Sequence, residues 1–434
     1  MQAKNQQTMK LNRRRVLAGL ATVPFMTMGS MLVHAESARD DYKPNVSRNY
    51  NVKPQAPTES RVVEDFRVRP MLAQTSELRM QAAISRYEAI VSRGGWPRIP
   101  RTKSLVVGSQ GKIVSLLRSR LHAEGYLPDS VATGDSYDIN VEAAVRRFQT
   151  NHGLRAHGRV DVRTRNALAI SAADRLDTLR ANLPRIKAYA EDLGNRYIVV
   201  NIPAAQLDAI QDGKVRSRHN VVVGKVDRPT PVLMSKVSEL NFNPYWNAPV
   251  SIVEKDIIPK VRKSLAVLKQ MDIRIYDGYK GPEVDPTTID WNNVSADRYH
   301  FRQEPGQGNA MASVKINFPN KHAVYMHDTP TKQLFTEAAR YFSSGCVRVD
   351  KVHILTNWIL NGQDGWDRGG IEAVVNSGER IDAKVPEGPQ IRFAYLTGWA
   401  SDDGQVHFRE DIYKLDGTGF IVGQPGGLPG EQAS

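Results

Sequence analysis

The spacing of apolar residues changes at Arg196, and this change constrains the fold more than any other feature of the chain. Between residues 104 and 195, apolar side chains recur every three or four positions, which is typical of amphipathic helices. After Arg196, short β-branched and aromatic runs such as RYIVVN and HNVVVG are bounded by Gly, Pro and Asp, which is typical of strands. The sequence therefore predicts a multidomain α+β protein, with a helical part followed by a mainly antiparallel β part.

A small three-helix bundle is predicted at residues 104–171. Its first helix ends at Gly125 and its second at Gly153, because glycine readily adopts the left-handed conformation that closes a helix. A helical lead-in is expected over 76–103, and a connecting helix broken by a proline over 172–195. The bundle carries no evident catalytic set, so a binding module or a helical spacer is expected there.

The first 35 residues have the pattern of an export signal. A basic front at Arg13–Arg15 precedes an apolar run interrupted by Pro24, and a small-residue exit follows at Ala35. The arginine pair fits a twin-arginine signal, with a general secretory signal as the alternative. A retained anchor is disfavoured because the run is shorter than the roughly 20 apolar residues that a spanning helix needs. We expect a periplasmic protein with no stable membrane span after signal removal, and a flexible polar linker over 36–75.

The chain is strongly basic, with a formal net charge of +13 at pH 7. Such a charge favours an anionic partner, such as an acidic cell-wall polymer or a membrane surface, although it can also serve solubility alone. Export argues against nucleic acid. The sequence has no HExxH block and no clustered Cys and His ligands, so neither a metal nor another cofactor is expected.

Cys346 is the one cysteine of the chain and lies in the block SSGCVR. A lone thiol cannot form an intramolecular disulfide, so it is either a buried inert side chain or a nucleophile. A nucleophilic thiol needs a neighbouring base or cation, because it is mostly protonated at neutral pH. His327 follows a predicted strand and is separated from Cys346 by a helix-forming stretch, which permits contact; a structural histidine is the alternative.

The residues around Cys346 suit acyl transfer. Ser343, Ser344 and Gly345 allow a tight turn whose peptide N–H groups could form an oxyanion hole. Arg348 could bind a substrate carboxylate through two parallel hydrogen bonds, although a surface salt bridge is an equally simple use of this residue.

The blocks YMHDTPTKQLF and FSSGCVRVD resemble the signature of the L,D-transpeptidase catalytic domain, the YkuD-like family. The blocks NPYWNAPVSIVEKDIIPKV, FRQEPGQGNAMASVKINFPN and GWASDDGQVHFREDIY resemble the large periplasmic subgroup of that family. The resemblance implies a catalytic domain at 196–385 with an inserted lid lobe at about 260–305, and a C-terminal β hairpin and tail at 386–434. The unit at 104–171 resembles a peptidoglycan-binding domain.

The resemblance also implies residue roles. Cys346 would be the nucleophile, His327 the base that activates it, and Ser343 the partner that orients the imidazole. Gly345 and its neighbours would supply oxyanion donors, and Arg348 would contact substrate.

Two positions depart from the family pattern. Ser344 stands where the family usually has a histidine, and Ala312 stands where a glycine is more usual. That histidine is not the one assigned as base, so the change at Ser344 is expected to alter oxyanion or substrate geometry and to leave the chemistry in place.

The implied reaction is a two-step acyl transfer on peptidoglycan. The thiol would attack the diaminopimelate carbonyl of a tetrapeptide stem, expel D-alanine, and pass the acyl group to an amine of a neighbouring stem as a 3-3 cross-link. Water as acceptor would give a carboxypeptidase, and an outer-membrane protein amine would give an anchoring enzyme. A non-catalytic wall-binding protein is a further alternative, and a papain-like protease fits least because no suitably spaced histidine with an asparagine partner follows the cysteine.

Overall fold

The computed structural model describes residues 61–62, 68–101 and 103–421. The predicted signal at 1–35, much of the predicted linker and the end of the predicted tail lie outside the described residues. No helix in the described part is long and apolar enough to cross a membrane.

Several helices begin where a side chain accepts one of the first backbone N–H groups. Asp138 and Asp161 each accept a bond at a helix start, and Ser171 forms a capping box with Asp174. In chain order the helices are α1 (Ser76–Ser92), α2 (Lys112–Ala123), α3 (Ile139–Asn151), α4 (Val162–Leu168), α5 (Ala172–Ala190), α6 (Val250–Ile252), α7 (Ile258–Val261), α8 (Ala266–Gln270), α9 (Val352–Leu360) and α10 (Arg368–Ser377).

Helices α2, α3 and α4 form the small bundle that the apolar spacing predicts. Val114, Leu117, Val145 and Phe148 are fully buried in its core. The prediction that a proline breaks the connecting helix is wrong, since α5 runs through Pro184. The buried apolar residues on both sides of the proline outweigh the one backbone hydrogen bond that it removes.

The strands form one large sheet and two small ones. In chain order they are β1 (Arg61–Val62), β2 (Arg196–Asn201), β3 (Gln206–Gln211), β4 (Lys214–Gly224), β5 (Leu233–Lys236), β6 (Glu239–Phe242), β7 (Trp246–Asn247), β8 (Ile273–Tyr276), β9 (His300–Gln303), β10 (Val314–Asn317), β11 (Met326–His327), β12 (Tyr341–Ser343), β13 (Val347–Val349), β14 (Ile381–Lys384), β15 (Gln390–Ala394), β16 (Gly398–Ala400) and β17 (Val406–Phe408).

The large sheet has the order β14-β6-β10-β11-β13-β4-β3-β2-β15-β5, with β1 and β12 also paired to β4. Most neighbours are antiparallel; β11 with β13, β12 with β4, and β2 with β15 are parallel. Helix α9 packs on the apolar face of this sheet through Leu355 and Ile359.

Strand β15 lies inside the large sheet, where Ile391 and Phe393 are fully buried. The predicted domain end at residue 385 is therefore wrong.

Residues 68–75 belong to the folded body. Met71 and Leu72 are buried, the Met71 N–H donates to an Asp208 carboxylate oxygen at 3.2 Å, and the Tyr197 hydroxyl donates to the Leu72 carbonyl at 2.9 Å. The linker prediction is therefore wrong for these residues. Two adjacent apolar residues are too few to show a period in a polar stretch.

An inserted lobe spans residues 246–311. Its three-stranded sheet, in the order β7-β9-β8, packs with α7 and α8 around a separate core that contains Trp246, Ile257, Ile275 and Phe301. The lobe therefore begins earlier and ends later than the predicted 260–305. The first part of the lobe is helical but divided, because a π-helical segment (Val253–Ile257) and Pro259 interrupt the regular bonding. Strands β16 and β17 form a hairpin that packs on α5.

Candidate active site

The pairing of β11 with β13 decides which side chains share a face of the sheet. The two strands are parallel neighbours, with Met326 opposite Val347 and His327 opposite Arg348. Met326 and Val347 are fully buried in the apolar core. Because side chains alternate along a strand, His327 and Arg348 lie on the other face. Tyr325, which hydrogen-bonds to Cys346, has its ring centre 5.4 Å from that of His327. His327 and Cys346, which are 19 positions apart in the sequence, thus share Tyr325 as a neighbour.

The imidazole of His327 is held in one tautomer. Its Nδ1–H donates to the Asp328 backbone carbonyl at 2.5 Å, which leaves Nε2 as the proton-accepting nitrogen. The side chain is 7% exposed. Burial, assisted by the nearby Arg348 charge, lowers the pKa of His327 to about 3. The ring is therefore neutral at physiological pH and can act as a base.

Asp328 is fixed by its own side chain. Its carboxylate accepts a hydrogen bond from the Ser313 hydroxyl at 2.6 Å and from the Thr329 N–H at 2.8 Å, and it forms an ion pair with Lys332. Burial opposes ionisation of this carboxyl, but Lys332 and the hydrogen bonds outweigh it and hold the pKa of Asp328 below its usual range. The anchored residue places the carbonyl that orients His327.

The Cys346 thiol is protonated at rest. Burial raises the pKa of Cys346, and hydrogen bonds from Tyr325 with the charges of Lys315 and Arg348 offset this rise only in part. Lys315 lies opposite His327 in the register of β10 with β11, and its Nζ is 4.4 Å from the centre of the Tyr325 ring. The site thus pairs a neutral thiol with a neutral imidazole, near two cations that favour negative charge on sulfur.

Ser343 closes the turn that carries the thiol, which we call the Cys turn (residues 343–346). Its hydroxyl donates to the Cys346 carbonyl at 2.5 Å and accepts from the Gly345 N–H at 3.2 Å. The prediction that Ser343 orients the imidazole is therefore wrong, since the Asp328 carbonyl takes that position. Gly345 has a φ of +115°, a conformation that strongly favours glycine.

The Cys turn differs from the expected oxyanion hole in one respect. The Gly345 N–H is already bonded to Ser343, so it is not the predicted oxyanion donor in this arrangement. Ser344 is exposed, and its hydroxyl accepts from Arg228 Nη1 at 3.0 Å. Arg228 is in turn paired with Asp256 of the lobe. The exposed serine therefore links the Cys turn to the lobe through one arginine.

Thr230 was not singled out by the sequence, yet it holds the Cys turn against the end of β4. Its Oγ1 donates to the Gly345 carbonyl at 2.8 Å and accepts from the Gly224 N–H at 2.8 Å. The Tyr413 hydroxyl accepts a hydrogen bond from the Thr230 N–H at 3.1 Å and donates one to the Gly224 carbonyl at 2.7 Å. A Cβ on Gly224 would lie 2.3 Å from the Arg228 carbonyl oxygen, so only glycine fits. No local motif identifies these residues, because their partners are distant in sequence.

The connection between His327 and Cys346 also differs from expectation. A helix was predicted there, but the chain forms a short 3-10 helix (Lys332–Thr336) and then enters β12. Arg340 is buried and donates to the Ala205 carbonyl at 3.1 Å, and its own carbonyl accepts from the Val223 N–H at 2.9 Å. Pairing with β4 therefore overrides the local helical preference.

Comparison with known families assigns two segments of the chain. Residues 195–374 match the YkuD family, described as "L,D-transpeptidase catalytic domain". Residues 110–168 match the family described as "Putative peptidoglycan binding domain". These matches confirm both resemblances that the sequence motifs indicated, and with them the expected combination of a helical module and a mainly β domain.

A protein of Haemophilus influenzae named "Putative L,D-transpeptidase" is 34% identical over 220 residues, which is 50% of this chain and 44% of that relative. This chain thus spans less than half of that relative's length. Among solved structures, an L,D-transpeptidase from Xylanimonas cellulosilytica is 16% identical with a TM-score of 0.20, covering 68% of this chain and 98% of that one. One from Stackebrandtia nassauensis is 13% identical with a TM-score of 0.24, covering 68% and 96%.

Proposed function

We propose that this chain, which carries an L,D-transpeptidase catalytic domain and a peptidoglycan-binding domain, is a cell-wall L,D-transpeptidase with Cys346 as its nucleophile. One observation carries the proposal: beside the paired strands β11 and β13, Tyr325 contacts both the Cys346 thiol and a neutral, oriented His327. Nucleophilic catalysis by cysteine requires this combination of a thiol and a base held in a fixed tautomer.

In the first step, Cys346 attacks the diaminopimelate carbonyl of a tetrapeptide stem. The thiol proton passes to His327 Nε2 as the carbon–sulfur bond forms. The bond to the terminal D-alanine nitrogen then breaks, and the leaving amine takes the proton from the imidazole. Because the thiol pKa is raised and the imidazole pKa is about 3, proton transfer before attack is unfavourable. Proton transfer and bond formation therefore occur together.

In the second step, an amine of a neighbouring stem attacks the thioester. The new amide bond forms as the carbon–sulfur bond breaks, and the proton lost by the amine returns to the thiolate. The product is a 3-3 cross-link. The sulfur leaves as a thiolate in this step, and the nearby cations of Lys315 and Arg348 favour negative charge on it.

The module formed by α2, α3 and α4 gives the enzyme its hold on the cell wall. Its match to a peptidoglycan-binding family supports peptidoglycan as the partner, and the basic charge of the chain suits an acidic polymer. Export to the periplasm through the signal at 1–35 completes this proposal. Outer-membrane proteins are a further class of acceptor amine.

Product analysis tests the proposal. The wild-type protein and Cys346→Ala are incubated with a diaminopimelate-containing disaccharide tetrapeptide, and the products are separated and weighed by mass spectrometry. We expect free D-alanine and a cross-linked dimer with the wild type only. Tripeptide without dimer would make water or a protein the acceptor. Equal products from both proteins would show that Cys346 is not the nucleophile.

A further inference from the structure

A second histidine contacts the group of residues that orients His327. His353 lies in the first turn of α9, and its Nε2 is 2.7 Å from the Ser313 hydroxyl oxygen. Ser313 directly precedes β10, and its hydroxyl is 2.6 Å from a carboxylate oxygen of Asp328, which directly follows β11. A helix and two strands therefore meet at three polar side chains beside the active site. His353 has no part in the two acyl-transfer steps themselves.

The direction of both hydrogen bonds follows from the charge of Asp328. Lys332 and several hydrogen bonds hold the pKa of Asp328 below its usual range, so the carboxylate is ionised at neutral pH and can only accept. The Ser313 hydroxyl therefore donates its one hydrogen to Asp328, and its oxygen accepts from His353. His353 is consequently a donor, with a hydrogen on Nε2.

This donor is present in both charge states of His353. Burial lowers the pKa of His353, the Asp328 carboxylate opposes that change, and the charges of Lys332 and Glu372 act in opposite directions. A neutral ring keeps its hydrogen on Nε2, where the Ser313 oxygen accepts it, and a protonated ring carries a hydrogen on both nitrogens. The hydrogen bond to Ser313 is therefore retained when His353 titrates.

The Asp328 carboxylate fixes the peptide unit that follows it. Its Oδ1 accepts from the Thr329 N–H at 2.8 Å, while its Oδ2 accepts from Ser313. The Thr329 N–H and the Asp328 carbonyl belong to one planar peptide unit. That carbonyl accepts from His327 Nδ1 at 2.5 Å. Rotation of the carboxylate therefore breaks a bond to the same peptide unit that orients the imidazole.

The remaining contacts of Asp328 do not define the rotation of its carboxylate. The Lys332 side chain is 53% exposed and pairs with Asp328 through a flexible four-carbon stem. Strand β11 has only two residues, and the Asp328 N–H donates to the Val314 carbonyl at 2.9 Å, which holds the backbone on one side only. Ser313 is thus the contact that sets the carboxylate, and His353 sets the direction of the Ser313 hydroxyl.

We infer that His353 is a positioning residue for the proposed acyl transfer, which acts through Ser313 and Asp328 to hold His327 in the tautomer with its hydrogen on Nδ1. The inference rests on the proposed function. Without the His353 N–H, the Ser313 hydroxyl can turn away from Asp328, and the imidazole then also adopts the tautomer with its hydrogen on Nε2. That tautomer cannot accept the thiol proton of Cys346.

Variants at position 353 separate this role from simple packing on α9. His353→Leu removes the donor, His353→Gln places an amide N–H near the position of Nε2, and His353→Asn places it too far from Ser313. We expect His353→Leu to slow acylation about tenfold, with the KM of the tetrapeptide donor within about twofold of the wild type. His353→Gln should recover most of the rate, and His353→Asn should not.

Ser313→Ala tests the route between the two histidines. It should slow acylation about as much as His353→Leu, and the double variant should be no slower than Ser313→Ala alone, because both substitutions break one series of contacts. Losses that add in the double variant would overturn the inference. Equal rates for His353→Leu and His353→Gln would also overturn it, because the N–H would then have no role.

A measurement without substrate separates this inference from the proposed function. The tautomer of His327 is read at neutral pH from a proton–nitrogen correlation NMR spectrum of Cys346→Ala with isotope-labelled histidine, with and without His353→Leu. The His327 signals are assigned as those that His327→Gln removes. A single Nδ1-protonated ring that becomes a mixture of tautomers with His353→Leu supports the inference, even if the wild type forms no thioester. The Nδ1 tautomer in both proteins contradicts the inference, and thioester formation by the wild type then leaves the proposed function standing.

Discussion

Protonation at two side chains sets the chemistry of this site. His327 is buried and holds its Nδ1 proton against a backbone carbonyl, and burial keeps the Cys346 thiol protonated. An ion pair of thiolate and imidazolium would instead need a lowered thiol pKa and a raised imidazole pKa. The resting site is therefore a neutral pair that becomes polar only when substrate is attacked.

Alkylation of the thiol reports this state directly. We expect the rate of Cys346 modification by iodoacetamide to rise with pH through and beyond the usual thiol pKa of about 8.5, because the thiolate fraction grows only there. Lys315→Met should slow the reaction at any given pH, since it removes a cation that favours the thiolate. If the alkylation rate is instead high and constant from about pH 5 to about pH 8, the neutral pair of thiol and imidazole is contradicted.

The sequence indicated Cys346 and His327 because a lone cysteine, a histidine after a strand and a glycine turn have few joint uses. It could not indicate Asp328 as the partner of the imidazole, since the group involved is a backbone carbonyl and any residue type has one. The family resemblance implied Ser343 as that partner, but a hydroxyl beside the cysteine suits several acceptors, and the fold of the Cys turn selects the Cys346 carbonyl.

At the level of elements, the Cys turn depends on a hydroxyl from another strand connection. Thr230 bonds at once to the Gly345 carbonyl and the Gly224 N–H, and it is fully buried. A buried carbonyl or N–H that loses its partner costs about 1–3 kcal/mol. The position of the thiol and the stability of the fold are therefore linked through one side chain.

Thr230→Val tests that link with nearly unchanged volume. We expect the free energy of unfolding to fall by about 2 kcal/mol and acylation to slow at least tenfold, because two buried backbone groups lose their partner. Thr230→Ser, which keeps the hydroxyl, should retain most of the stability and most of the acylation rate. Denaturant unfolding and acylation kinetics provide the measurements. If the two variants behave alike, the hydroxyl does not hold the turn.

Elements were predictable where the local pattern and the packing agree, as in α2, α3 and the buried strands after Arg196. The stretch before β12 was not predictable, because the buried Arg340 and its neighbours pair with β4 in place of forming a helix. Such tertiary pairing has no signature in a short window. The lobe was expected from the family resemblance at about 260–305, but its bounds depend on Trp246 and Met311, which join its core from outside that range.

On the scale of the whole molecule, the peptidoglycan-binding module is fixed to the catalytic body by buried polar contacts. Glu124 of this module pairs with Arg120 at 2.5 Å and accepts from the Tyr87 hydroxyl of α1 at 2.9 Å. The Arg120 guanidinium lies 3.6 Å from the centre of the Trp96 ring. Arg409, which follows β17, donates to a carbonyl of α3 at 2.9 Å. The module is thus held in one orientation to the active site.

Glu124→Ala tests how much this contact stabilises the molecule. We expect the free energy of unfolding to fall by about 3–5 kcal/mol, because the substitution leaves Arg120 charged, buried and unpaired by its carboxylate. The control is Glu142→Ala, which breaks a more exposed pair with Arg146 in the same module and should cost about 1 kcal/mol or less. Equal losses in denaturant unfolding would show that the buried pair contributes little.

The most direct test of the central claim is the mass of the intact protein after mixing with the disaccharide tetrapeptide donor in the absence of acceptor. We expect a covalent adduct equal to the donor minus D-alanine, mapped by peptide analysis to Cys346 and missing from Cys346→Ala. An adduct at another residue, or turnover by Cys346→Ala at the wild-type rate, would contradict it.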